Sequence, residues 1–239
     1  MSFGSLANYI NPLDIGAAAV ILIFMGFAGR RGLVKSLYKL FAFVFSIFLA
    51  NLLYPHASRL LRDSGGFYER LKNFFMNTSW IPDSSGFTTK AAQNLFISGL
   101  DLPDFMKFTL MEHNNPDAYA ALNADGLTEY IGGFLANLSL NIISMLLLFI
   151  VIYIVMRLLG KLLDAVTKLP VISALNRLGG LVIGFFQGVI VILLIFTGVS
   201  LFLSQPNFSV FMDLLERSEL SKMFYDNNFI LHMVTRIVP

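Results

Sequence analysis

Leu169-Pro170-Val171-Ile172-Ser173-Ala174-Leu175-Asn176-Arg177-Leu178-Gly179-Gly180-Leu181-Val182-Ile183-Gly184-Phe185-Phe186-Gln187-Gly188 starts as a proline-broken basic connector. It ends inside an uncharged apolar run that continues to Phe202. Gly180, Gly184 and Gly188 are four residues apart, so on a helix they line one face. Such a small-residue seam lets two backbones approach closely inside a bilayer, where lipid supplies no hydrophobic drive between helices. The stretch therefore reads as the entrance to a membrane-spanning helix whose packing face is built from glycine.

Composition supports a membrane setting. Of the 239 residues, 56% are hydrophobic and only 13% are charged, against about 25% charged in an average soluble domain. Cysteine is absent, which rules out disulfides, thiolate nucleophiles and cysteine-ligated metals. The net charge of +2 is too small to suggest a nucleic-acid partner. The bilayer is the expected partner, with a second copy or another membrane protein beside it.

Outward from the opening stretch, three further apolar runs predict an all-α, polytopic membrane protein. Four transmembrane helices form two hairpins, joined and followed by short amphipathic helices. Residues 1–54 make the first hairpin. Asn11-Pro12-Leu13-Asp14 reads as a helix start, with an Asn cap, Pro at the first helical position and an acid in the first turn. Asp14 is better read as an interfacial capping acid than as a proton or ion site. A retained span follows over residues 13–28, since its basic pair, Arg30-Arg31, comes after the apolar run. The tight turn Gly29-Arg30-Arg31-Gly32 then leads into a second span, Leu33 to Tyr54.

Residues 55–130 are mildly acidic, with six Lys/Arg and nine Asp/Glu. Their apolar spacing, as at Phe67, Leu71, Phe74 and Phe75, predicts short amphipathic helices. These either cap the bundle or lie flat in the interface. Residues 131–204 form the second hairpin. Its third span, Ile131 to Met156, carries Asn137 and Asn141 on one face, and the fourth carries Gln187. Amides at such depth call for a partner helix or a cavity. Leu158 to Leu169 reads as an amphipathic continuation that bends along the surface and stops at Pro170. Residues 205–239 form an amphipathic tail.

The connector after span one holds Arg30, Arg31, Lys35 and Lys39; that after span three holds Arg157, Lys161, Lys168 and Arg177. The positive-inside rule puts both in the cytoplasm and both termini outside. Spans two and four also begin alike, Gly32-Leu33-Val34 matching Gly180-Leu181-Val182. Two parallel hairpin repeats, as in some transporters, account for this, and so does chance similarity between apolar helices.

No His-Glu-x-x-His, Gly-x-Ser-x-Gly or phosphate-binding loop occurs. His56, His113 and His232 are scattered over segments not expected to span. No enzymatic activity and no cofactor are expected.

Taken together, Asn11-x-x-Asp14, the turn ending at Gly32, and the run through Pro170, Asn176, Gly179 and Gly180 to Gly184 and Gly188 resemble the colicin V production protein family of bacterial membrane proteins. The resemblance covers both hairpins. It implies a multi-spanning inner-membrane protein linked to colicin V production or export and to envelope upkeep, with no established catalysis or cofactor.

Three readings follow. The first is a non-enzymatic membrane protein acting through helix contacts at the glycine seam, within the chain or between copies. The second is a small-solute transporter or channel lined by Asn137, Asn141 and Gln187. The third is a lipid-interacting scaffold resting on the basic connectors.

Overall fold

The computed structural model describes residues 11–77, 81, 84, 86–164, 174–202 and 208–235, with the side chains of residues 162–164 outside that set. Every regular element among them is helical. Four helices are long and apolar enough to cross a membrane: α1 (Pro12–Arg31), α2 (Leu33–Asp63), α7 (Leu127–Asp164) and α8 (Ala174–Val199). Between α2 and α7 lie α3 (Phe67–Met76), α4 (Lys90–Ser98), α5 (Asp104–Glu112) and α6 (Pro116–Ala121). After α8 and the 3-10 turn Ser200–Phe202 come α9 (Phe208–Glu216), α10 (Leu220–Asp226) and α11 (Phe229–Val234). This is the all-α membrane fold expected from the apolar runs. Pro170, at the expected stop before span four, lies outside the described residues.

Several helix limits differ from the sequence reading. Gly29, Arg30 and Arg31, read as part of a tight turn, complete α1, and Gly32 alone leads the chain into α2. The second span is expected to end at Tyr54, yet α2 continues through Pro55 to Asp63. An internal proline removes a backbone hydrogen bond and costs roughly 3 kcal/mol. The turns on either side of it are held from outside. The Tyr54 hydroxyl donates to the Met233 carbonyl at 2.8 Å, and the Ser58 hydroxyl donates to Asn141 Oδ1 at 2.7 Å. The third span and its amphipathic continuation as far as Asp164 form one helix, α7, of 38 residues. At about 1.5 Å per residue this is roughly 57 Å, far longer than a ~30 Å hydrocarbon core.

The excess length of α7 carries a cap. Tyr130, Ile131, Phe134, Leu135 and Leu138 are buried, whereas Leu147, Ile150, Val151 and Ile154 farther along are exposed. The segment 67–122 and the tail wrap the first half, and their residues Ile97, Met106, Leu110, Leu122, Ile230 and Leu231 join one continuous core with it. Described residues between 67 and 122 thus pack over this half of α7. α3 lies close to α7 at Gly132-Gly133, where a Cβ on Gly132 would meet Met76 Cγ at 2.7 Å.

The long helices follow each other as two hairpins, but they pack across them. α8 lies along α1, and α7 along α2; α2 and α8 also meet, while consecutive partners touch only sparsely. A twofold exchange of the two hairpins maps this pattern onto itself, since the α1–α8 pair becomes α7–α2 and the α2–α8 pair maps to itself. The helices that carry the matching stretches, Leu33-Val34 after the cap Gly32 in α2 and Gly180-Leu181-Val182 inside α8, are the ones that meet at its centre.

The α1–α8 joint admits no side chain. A Cβ on Gly180 would sit 2.5 Å from the Ala28 carbonyl oxygen, on Gly184 2.6 Å from Met25 Cα, and on Gly188 2.8 Å from Ile21 Cα. The obstruction is backbone, which cannot rotate away. Gly184→Leu should therefore destabilise the protein by about 3 kcal/mol or more, read as a lower unfolding midpoint in detergent. Gly26→Leu on the open side of α1, where a Cβ meets nothing within 4 Å, should leave the midpoint unchanged or slightly raised.

Candidate functional site: a glycine seam and its side-chain locks

The glycine seam covers Ile21 to Gly29 of α1, and polar side chains fasten both ends of that helix. At the basic end, α1 and α2 are separated by the single residue Gly32, which adopts φ +82°, a conformation that strains any residue with a Cβ. Gly32 also faces the Asn176 side chain, which would overlap a Cβ there. Asn176 uses this space. Its Oδ1 accepts the Leu33 N–H at 2.7 Å, capping the start of α2 from 143 residues away. The capping residue itself, Gly32, has no side chain with which to do so. Three more contacts close this end. Gly179 packs on Leu33, Gly29 packs on Leu181, and the Ser36 hydroxyl donates to the Ala28 carbonyl at 3.0 Å.

At the other end, Asn11 and Asp14 hold the tail. Asn11 Oδ1 accepts the Leu13 N–H at 2.9 Å and so caps α1 as its position predicts. Its Nδ2 donates to the Leu214 carbonyl near the end of α9. Asp14 lies in the first turn of α1 but serves a different helix. Its carboxylate accepts the Ser218 hydroxyl, the Ser221 N–H at 2.9 Å and the Glu219 N–H at 3.3 Å, gathering the N–H groups that open α10. The interfacial capping acid is thus a cap across 204 residues.

The tail has a second tie that sequence reasoning did not single out. Asn228 is fully buried. Its Oδ1 accepts the Ile230 and Leu231 N–H groups, both at 3.1 Å, and caps α11. Its Nδ2 donates to the Leu193 carbonyl at 2.8 Å and to Thr197 Oγ1 at 3.2 Å, both on α8. An Asn ahead of Phe229 to Val234 signals the cap; nothing in the sequence signals the bond to α8.

The polar residues of the spans are used between helices. Asn141 Oδ1 accepts from Ser58 on α2, and its Nδ2 donates to the Val234 carbonyl at 2.9 Å. Asn137 is buried on the same helix, and Gln187 is buried beside Gly188 in the seam helix. Among the described hydrogen bonds, those of Asn141 run to Ser58 and Val234 and not to Gln187. Clefts of about 580, 470 and 240 Å³ open elsewhere, and none of the three is lined by these amides.

The family description "Colicin V production protein" matches residues 13–96 and 118–228. That is most of the chain, and the chain belongs to this family. No curated protein and no solved structure matches it. The matched range contains Asp14, Gly32, Asn176 and Gly179, and also Ser218 and Ser221, while Asn11 lies just before it.

Removing the Asp14 carboxylate should free the tail while leaving the bundle folded. Breaking hydrogen bonds to a charged acceptor costs about 1–3 kcal/mol. Asp14→Ala should therefore raise backbone hydrogen exchange in residues 218–226 by about tenfold or more, with no change in residues 180–195. Unchanged exchange in the tail would show that the lock does not hold it.

Proposed function

We propose that this member of the colicin V production family is a non-enzymatic inner-membrane protein that supports colicin V production or export and envelope upkeep through helix-helix contacts. The observation that carries the reading is the use made of its motif residues. Gly32, Asn176 and Gly179 join α2 to α8, Asn11 and Asp14 join the tail to α1, and Gly180, Gly184 and Gly188 join α8 to α1. Each is engaged in a joint between helices. A transporter would need such polar groups along a continuous path. Here the amide at Asn141 is committed to Ser58 and Val234.

The basic end, with Arg30, Arg31, Lys35, Lys39, Arg157, Lys161 and Arg177, is proposed to face the cytoplasm, with both termini and the cap outside. The cap and tail lie together at the opposite end, around the start of α7. Because the seam is filled within the chain, a second copy or another membrane protein would meet a different face, such as the exposed apolar side of α2 at Leu37, Phe41, Val44 and Phe48.

The test uses a strain that makes colicin V and lacks its own family member. The wild-type chain should restore toxin release, and Gly184→Leu should not, at matched expression. Full rescue by both would separate the seam from the role, and rescue by neither would remove the proposed role. Reporter fusions at residue 115 and at the C-terminus should both read as outside; a cytoplasmic signal at either overturns the orientation.

A further inference from the structure

The two joints of the bundle that the hairpin exchange relates are not equally closed. The α1–α8 joint is sealed by glycine along Gly180 to Gly188 and opens toward Pro12 into an apolar cleft of about 240 Å³. The α2–α7 joint opens at its basic end into a cleft of about 470 Å³. Its rim is formed by Arg31, Lys35, Lys39, Arg157 and Lys161, and no acidic side chain among the described residues lines it.

The opening is built into the helices. Tyr38 stands between α2 and α7, and its hydroxyl donates to the Met156 carbonyl at 3.0 Å. Gly160 makes room for the ring, which a Cβ at that position would overlap. One turn deeper, Phe43 packs edge-on against Phe149 and Tyr153 with centroids 5.1 and 5.3 Å away, closing the cleft toward the bundle centre. Two of the cations stand near aromatic rings, Arg31 5.7 Å from Phe27 and Arg157 5.9 Å from Tyr153.

Arg31, Lys35, Arg157 and Lys161 around a small cleft select an anion, and phosphate oxygens accept from both Lys and Arg. The surroundings indicate which kind. The cleft wall and flanks include the apolar residues Val34 (53% exposed), Leu37 (53%) and Leu158 (54%), on helices that are membrane-spanning in composition. A ligand seated here has its charge among lysines and arginines and its neighbouring surface among exposed aliphatic chains. Basic pockets between membrane helices suit anionic lipid head groups for this reason. We propose that the α2–α7 cleft binds the phosphate head group of an anionic phospholipid, with its acyl chains lying along Val34, Leu37 and Leu158. The site is independent of the role in toxin production, and its ligand class follows from charge and position alone.

The experiment is native mass spectrometry of the full chain in neutral detergent, titrated with cardiolipin, phosphatidylglycerol or phosphatidylcholine. Cardiolipin and phosphatidylglycerol should be retained over phosphatidylcholine. Lys35→Gln/Arg157→Gln/Lys161→Gln should lower that retention by about tenfold or more. Lys35→Arg/Lys161→Arg, which keeps the charge, should bind as wild type, and so should Lys90→Gln/Lys222→Gln on the cap and tail. Equal retention of all three lipids, or no loss in the triple Gln variant, overturns the site. Inorganic phosphate displacing the lipid at low millimolar concentration would assign the cleft to a soluble anion and overturn its lipid source. The role in toxin release has a separate readout, so either can fail alone.

Discussion

Backbone against backbone at Gly180, Gly184 and Gly188 is the contact on which the rest of the bundle depends. In lipid, apolar side chains gain nothing by leaving their surroundings for one another, so helix association falls to dispersion contacts and hydrogen bonds. Both scale with approach. With Gly184 seated on Met25 and Phe24, α8 comes close enough to α1 for Leu181 to cover Gly29 and for Asn176 to reach the N-terminus of α2. A side chain at any of the three positions would push the helices apart and withdraw Asn176 from Leu33. The seam and the lock at Gly32 are therefore one device.

The same logic explains the opposite end. The tail has no run long enough to span; it packs Phe208, Leu215, Ile230 and Leu231 into the core and is tied by hydrogen bonds. Asn11 and Asp14 take the end of α9 and the start of α10, Asn228 takes α8, and Tyr54 takes Met233. The bonds to Leu214, Ser221 and Met233 satisfy helix-terminal backbone groups that burial would otherwise leave unpaired. α7 serves as the mast for this cap, its first half encased and its second half facing outward on one side.

Much of this was legible in the sequence. Apolar run length gives the four long helices, and glycine spacing gives the packing face on α8, because both are local properties with a fixed period. The N-cap at Asn11 was legible for the same reason. What was not legible is the partner. Nothing near Asp14 shows that its carboxylate closes on Ser218 and Ser221, and nothing near Asn176 shows that it caps Leu33, since tertiary distance has no local signature. The continuation of α2 past Pro55 was not legible for a related reason: the groups that hold it, Asn141 and Met233, lie on other elements. The α2–α7 cleft was visible only as charge. Its opening depends on Tyr38 meeting Gly160 across the joint.

The central claim is that the glycine seam is internal, joining α8 to α1 of the same chain. The native chain has no cysteine, so a single introduced pair reports without background. A Cβ on Gly29 lies 3.1 Å from Leu181 Cγ, which places Gly29→Cys and Leu181→Cys within reach of the ~3.5–4.5 Å Cβ separation of a disulfide. Oxidation of this double variant in membranes should yield an intrachain disulfide, seen as a monomer of altered mobility that reverts on reduction. Covalent dimers in its place, or no crosslink, would contradict the internal seam and the structure built on it.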